Sequence, residues 1–170
     1  MRFIRLVGVA SALLLAVATA TAQPAKSLRE QLVGTWAFVI AEITSADGKK
    51  TLPFGDKPKG MLIFTADGRF SQVHVAGGLP KIAGNNRLGG TPEQNTAIVH
   101  GTLAMFGTYT VDEGKKTVTF KIESSTYPNL EGVAQTRTID LLTADEFRNT
   151  NPAASRDVPA VASNLYKRAK

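Results

Sequence analysis

The sequence predicts an all-β protein: a closed, up-and-down antiparallel β-barrel of eight or nine strands with one short helical insert. Three observations predict it. From Trp36 onward the apolar period is two, most plainly in Thr117–Ser124, where Val118, Phe120 and Ile122 alternate with Thr119, Lys121 and Glu123. Short turns such as Ala66-Asp67-Gly68 and Asp112-Glu113-Gly114-Lys115 separate the runs, and Asp-Gly tolerates the positive φ of a tight hairpin. A meander of this kind leaves bare edges unless it closes on itself, and eight strands close around the space of one small ligand. A β-sandwich is the competing architecture, but it uses longer crossovers than this hairpin-rich order offers.

The elements follow in order. Ser27 with Glu30 predicts a capping box opening a brief helical turn through Leu28 and Leu32. Thr35–Ile43 is a strand, turned by Ala46-Asp47-Gly48, and Lys49–Leu52 is a short strand before the Pro53–Pro58 loop. Gly60–Thr65 and Arg69–Val75 form a hairpin about Asp67-Gly68. Ala76–Gly90 is a glycine-rich loop, a candidate lid over the barrel mouth. Pro92–His100 is the helix, with Thr91 as N-cap and Pro92 at the first helical position. Strands resume at Leu103–Val111, Thr117–Ser124, Val133–Leu142 and Phe147–Asn149. Asn151–Pro159 is a polar loop, and Ala162–Arg168 is the last strand.

Composition narrows the function. The 170 residues suit one domain. With 43% hydrophobic and 20% charged residues the chain is not wholly disordered. The lack of Cys excludes a disulfide scaffold, a zinc–thiolate site, an iron–sulfur cluster and a cysteine nucleophile. His74 and His100 are the two histidines, too few for a three-histidine metal site, and no metal or cofactor is implied.

Residues 1–22 are expected to be a secretory signal peptide rather than part of the fold. Arg2 and Arg5 precede the apolar run Leu6–Val17, and Ala20-Thr21-Ala22 fits the small-x-small cleavage rule. The run is shorter than the roughly 20 residues of a spanning helix, so no stable membrane anchor is expected. No Cys follows it, which excludes lipoprotein processing. Residues 23–170 are then a domain exported to the periplasm or secreted. Export argues against a nucleic-acid partner, although the net charge is +6.

Leu32-Val33-Gly34-Thr35-Trp36 opens the first long strand, and Gly-x-Trp there resembles the lipocalin entry motif. The ordered series that follows extends the likeness: Pro53-Phe54-Gly55, the run Gly60–Ser71, Gly107-Thr108-Tyr109, Tyr127-Pro128-Asn129 and Gln135-Thr136-Arg137. The sequence resembles the small bacterial and fungal lipocalin-like domain family, a calycin-type barrel, over nearly all of residues 23–170. Phe106, Phe120 and Tyr166 depart from the Tyr, His and Trp expected there. The resemblance implies an antiparallel barrel with an interior pocket and no single reaction. It also implies that Trp36 plugs the barrel base under a basic side chain of the last strand, where Arg168 stands, held by cation–π stacking.

Arg137 is the leading candidate site residue. Val133, Ile139 and Leu141 share its parity, so if that face is interior Gln135 and Arg137 point inward. An inward Arg is costly unless it meets an anion, and its planar fork suits a carboxylate. With Gln135 and Tyr109 it would anchor the acidic head of an apolar ligand. The other reading has Arg137 paired internally with Glu42, Glu123 or Asp140, or the strand's faces reversed. His74 is a possible general base or heme ligand. A hydrogen-bonded rim residue is the commoner role, and its strand does not declare which face is inside. His100 ends the helix, where a cation is favourable. Phe38, Phe64, Phe70, Phe106, Tyr109 and Phe120 are expected to fill the barrel or wall the pocket.

No Ser sits in a nucleophile elbow, no informative carboxylate pair is present, and the glycine pairs lack phosphate-loop spacing. The expectation is an exported barrel that binds a small, mostly apolar, possibly acidic ligand. Two alternatives stay open: a cyclase- or isomerase-type enzyme using His74 and Arg137, and a non-catalytic envelope interaction module.

Overall fold

Nine strands form one antiparallel sheet that closes into a barrel: β1 (Gly34–Ser45), β2 (Lys50–Thr51), β3 (Lys59–Phe64), β4 (Arg69–Val75), β5 (Thr102–Asp112), β6 (Thr117–Ser125), β7 (Ala134–Leu142), β8 (Glu146–Asn151) and β9 (Ala160–Arg168). From β3 to β9 each strand pairs with the next in the chain, and β1 pairs with both β3 and β9. Eight strands therefore make the ring. β2 is an extra strand on the far end of β1, where Ile43 faces Thr51. The β1–β9 seam runs from Trp36 opposite Arg168 to Ser45 opposite Ala160, with a bulge at Phe38–Ile40. This is a computed structural model describing residues 25–153 and 159–170; the expected leader and the centre of the Asn151–Pro159 loop lie outside them.

The barrel is solid at one end and hollow at the other. Trp36, Phe64, Phe120, Phe147 and Tyr166 are fully buried in the lower half. Most of these rings meet edge-on or tilted, as in Phe64–Tyr109 at 4.8 Å and Phe70–Phe120 at 4.7 Å, while Phe147 and Tyr166 stack at 5.7 Å. Offset and edge contacts suit the ring quadrupoles, and burying each such side chain contributes roughly 2–3 kcal/mol.

The helix α1 (Leu28–Leu32) covers this lower end. Its capping box is formed: Ser27 Oγ accepts from Glu30 N–H while the Glu30 carboxylate accepts from Ser27 N–H. Leu32 is fully buried, and its carbonyl accepts from the Trp36 indole at 2.7 Å. The Arg168 guanidinium lies 3.8 Å over the Trp36 ring. Its three nitrogens donate to Ala144 O, Val33 O and Gln31 O at 3.0, 2.8 and 2.7 Å.

The helix α2 (Pro92–His100) has the expected bounds, with Thr91 capping and Gln94 completing the box. It lies at the mouth and buries none of its residues; Val99 is 68% exposed. No helix among the described residues is long and apolar enough to cross a membrane.

Strand periodicity settles which faces point inward. On β4, Phe70, Gln72 and His74 are buried, while Ser71, Val73 and Val75 face out. On β5, Met105, Gly107 and Tyr109 are buried. Phe106 therefore faces solvent, 47% exposed, which corrects its expected place in the interior. Tyr109 and Phe106 have opposite parity, so one strand cannot turn both inward.

Candidate functional site

A cavity of about 730 Å³ occupies the mouth half of the barrel, within the roughly 300–1,000 Å³ of small-molecule pockets. Its apolar lining includes Ala41, Ile43, Phe54, Leu103 and Leu130. Its depth is polar. Gln72 and His74 come from β4, Gln135 and Arg137 from β7, Asn151 from β8 and Asn164 from β9. These six positions follow directly from strand alternation: each shares parity with a buried neighbour on its own strand.

Two hydrogen bonds cross the lumen, Arg137–Gln72 and His74–Tyr166, and a third, Arg137–Gln135, runs along β7; together they make the cavity's floor. Arg137 Nη1 donates to Gln72 Oε1 at 3.1 Å, and Arg137 Nη2 donates to Gln135 Oε1 at 3.0 Å. His74 Nε2 bonds the Tyr166 hydroxyl at 2.9 Å. Aromatic rings support both: the Arg137 guanidinium sits 4.6 Å over Phe120, and Phe38 stacks on His74 at 3.7 Å with a 10° tilt.

The electrostatics of this floor are unbalanced. Arg137 is 4% exposed, and burial works against its charge, with Tyr166 partly offsetting that. A guanidinium stays protonated all the same. None of the three carboxylates considered as its partner is free. Glu42 pairs with Lys50 at 2.8 Å, Glu123 with Arg69 at 2.7 Å, and Asp140 accepts from Thr150 at 2.7 Å. The internal-pairing reading is thereby overturned. Arg137 Nε has no hydrogen-bond partner among the described residues, and neither does Asn149 Nδ2. Among the described residues two neutral glutamine oxygens are its only side-chain acceptors, which leaves a buried positive charge uncompensated by them, at a cost of several kcal/mol.

His74 is 2% exposed, so it is a floor residue and not the expected rim residue. Burial, aided by the Arg137 charge, lowers its pKa to about 3. The imidazole is therefore neutral at physiological pH. Burial also pushes the Tyr166 phenol well above its usual value, against the opposing influence of Arg137 and Asn149.

The predicted residues divide accordingly. Arg137, Gln135 and His74 line the cavity. Phe38, Phe70 and Phe120 are core rings; Phe38 backs His74, and Phe120 underlies Arg137. Tyr109 is inward but sits at the closed end, where its hydroxyl donates to Thr65 O at 2.9 Å. It is too low in the barrel to join Arg137 in binding a head group. The expected lid, Ala76–Gly90, contributes no lining residue; Val99 and His100 of α2 do. Gln72, Asn151 and Asn164 were not anticipated. The pattern Phe147-x-Asn149-x-Asn151 and the pair Asn164-x-Tyr166 carry the signal that would have found the asparagines.

A second hollow of about 610 Å³ lies at the closed end between α1 and Thr143–Ala144. Two cations line it, the exposed Lys26 and Arg168, and Arg168 has all three nitrogens engaged. No group of three or more acidic or histidine side chains among the described residues is placed to hold a metal ion.

A closed antiparallel barrel, packed at one end and hollow at the other, has the form of a calyx. The family model for the lipocalin-like domain matches residues 33–166, and the chain belongs to that family. Among solved structures it is similar to a redesigned β-barrel, with 13% identity over 85% of this chain and 100% of that one, at a TM-score of 0.43. A de novo designed fluorescence-activating β-barrel gives 11% identity, the same coverage and a TM-score of 0.43. Bovine odorant-binding protein in complex with a selenium-containing odorant gives 14% identity over 89% of this chain and 78% of that one, at a TM-score of 0.41. No curated protein matches the chain.

Proposed function

We propose that this protein carries or sequesters a small, mostly apolar ligand whose acidic head docks on Arg137 at the cavity floor. The observation that carries the reading is a buried guanidinium with no countercharge among the described residues, facing a ligand-sized hollow. A carboxylate supplies the missing charge and accepts from the fork, an arrangement that strengthens as water is excluded. The aliphatic wall above takes the rest of the ligand.

The domain is proposed to act outside the cytoplasm, on the strength of Arg2, Arg5, the apolar run Leu6–Val17 and Ala20-Thr21-Ala22. The N-terminus of protein recovered from the periplasm or medium should begin at Gln23.

The enzymatic reading draws less support. A general base works best with a pKa near the operating pH, whereas His74 is held near 3 with Nε2 occupied by Tyr166. The envelope-module reading predicts no retained small molecule.

Titration of the purified protein with decanoic acid and with 1-decanol tests the reading. The acid should bind at least tenfold more tightly, about 1.4 kcal/mol. Arg137→Met should remove that preference while leaving the alcohol's affinity within twofold. Equal binding of acid and alcohol by the unaltered protein would overturn it.

A further inference from the structure

The cavity has a sided chemistry that an acid-binding arginine alone does not explain. Asn151 and Asn164 form a polar flank beside the guanidinium, both less than a tenth exposed and both lining the hollow. The side chain of each is half used. Asn151 Oδ1 accepts from Ala153 N–H at 3.1 Å, and Asn164 Nδ2 donates to Asn149 Oδ1 at 3.2 Å. Asn151 Nδ2 and Asn164 Oδ1 have no hydrogen bond among the described residues. The flank thus offers one donor and one acceptor to whatever fills the cavity.

A plain hydrocarbon pressed against this flank would strip water from both groups and return nothing. A hydroxyl both donates and accepts, so one such group satisfies the pair. Strand register fixes where on the ligand it must lie. Thr138 faces Thr150, so Arg137 stands beside Asn151 on the next strand, and Asn151 faces Ala162, two residues from Asn164. Two residues along a strand span roughly 7 Å. The second polar group therefore belongs near the head, a few carbons from the carboxylate. The wall across the lumen, with Leu103 of β5 and Phe54 beside His74 of β4, is left for the tail.

From this arrangement we infer that the guest is a hydroxy acid, its hydroxyl held by Asn151 and Asn164 while its carboxylate meets Arg137. The inference rests on the acid-binding reading and adds the class of acid.

The experiment compares decanoic acid with 3-hydroxydecanoic acid by calorimetric titration of the purified protein. The hydroxy acid should bind roughly tenfold more tightly, since one unmet buried polar group costs about that factor. In Asn164→Leu and in Asn151→Ala the ratio of the two affinities should fall to near one. Thermal melting establishes that each variant is folded, and Asn151→Ala, nearer the mouth, serves should Asn164→Leu not fold. Equal binding of the two acids by the unaltered protein, or a ratio unchanged in the folded variants, overturns the inference while the acid-binding reading stands. Binding of neither acid overturns both.

Discussion

The imidazole of His74 and the phenol of Tyr166 meet 2.9 Å apart across the lumen, joining β4 to β9, two strands that are not neighbours in the sheet. With the Arg137–Gln72 bond, this contact divides the barrel into a packed lower half and an open upper half.

The burial of His74 at this contact, beside the Arg137 charge, makes stability depend on pH. The folded His74 titrates near 3, against an ordinary 6.5 once exposed by unfolding, and its surroundings are Phe38, Phe54, Tyr166 and the Arg137 charge. Between these values the unfolded chain binds a proton that the folded chain refuses. Stability is therefore fully present above about 6.5 and falls as the pH drops toward 3, by up to about 1.4 kcal/mol per unit. Urea midpoints at pH 7 and pH 5 should differ, and His74→Gln should shrink that difference. A variant with the same pH slope as the parent would sink the assignment.

Arg137→Met should stabilise the fold while removing the preference for an acid over the matching alcohol. The substitution removes a buried charge that two glutamine oxygens do not compensate, and the methionine still packs on Phe120. A gain of about 1–2 kcal/mol is expected, read as a melting temperature several degrees higher. A lower melting temperature would mean that the guanidinium is a structural brace.

Arg168 is the opposite case. It covers Trp36 and serves three backbone carbonyls that close the base. Arg168→Ala should cost about 3 kcal/mol in denaturant unfolding, and Arg168→Lys should recover less than half of it, since an ammonium cannot span three carbonyls and stack on a ring. Full recovery by lysine would show that charge alone matters.

Gly60 carries a steric prediction. Its φ is 153°, and a Cβ there would sit 2.0 Å from the Val73 carbonyl oxygen. Gly60→Ala should cost on the order of 3 kcal/mol. Gly78, at φ 75° with open space around it, should cost only about 1 kcal/mol when changed to Ala. Similar losses at the two positions would refute the close approach.

Much of this was legible in the residues. The period of two and the turn chemistry located every long strand to within a few residues, and Thr91-Pro92 set the start of α2. The face of β4 was not legible, because Val73 and Val75 are apolar yet lie outside, while the polar Gln72 and His74 lie within. On β7 the sequence leaves two directions open for Arg137; it points inward, although two of the three apolar residues that share its parity do not. Val133 precedes the strand, and a bulge between Ile139 and Leu141 swings Leu141 toward solvent. Tyr109 marks a different limit. Alternation gives the side of the sheet a residue faces, whereas its height along the barrel depends on the stagger of all eight strands. Asn151 escapes the sequence pattern because β8 runs two residues further toward the mouth than Phe147–Asn149, whereas Asn164 lies inside the expected last strand and shows its inward face only through its parity with Tyr166.

The strands are continuous from floor to mouth, but the side chains that anchor them and those that would greet a guest occupy separate storeys. Selection can therefore repaint the upper rooms, exchanging Asn151, Leu103 or Ile43 for other tastes in cargo, while the foundations at Trp36, Phe64 and Phe147 go on specifying the same house.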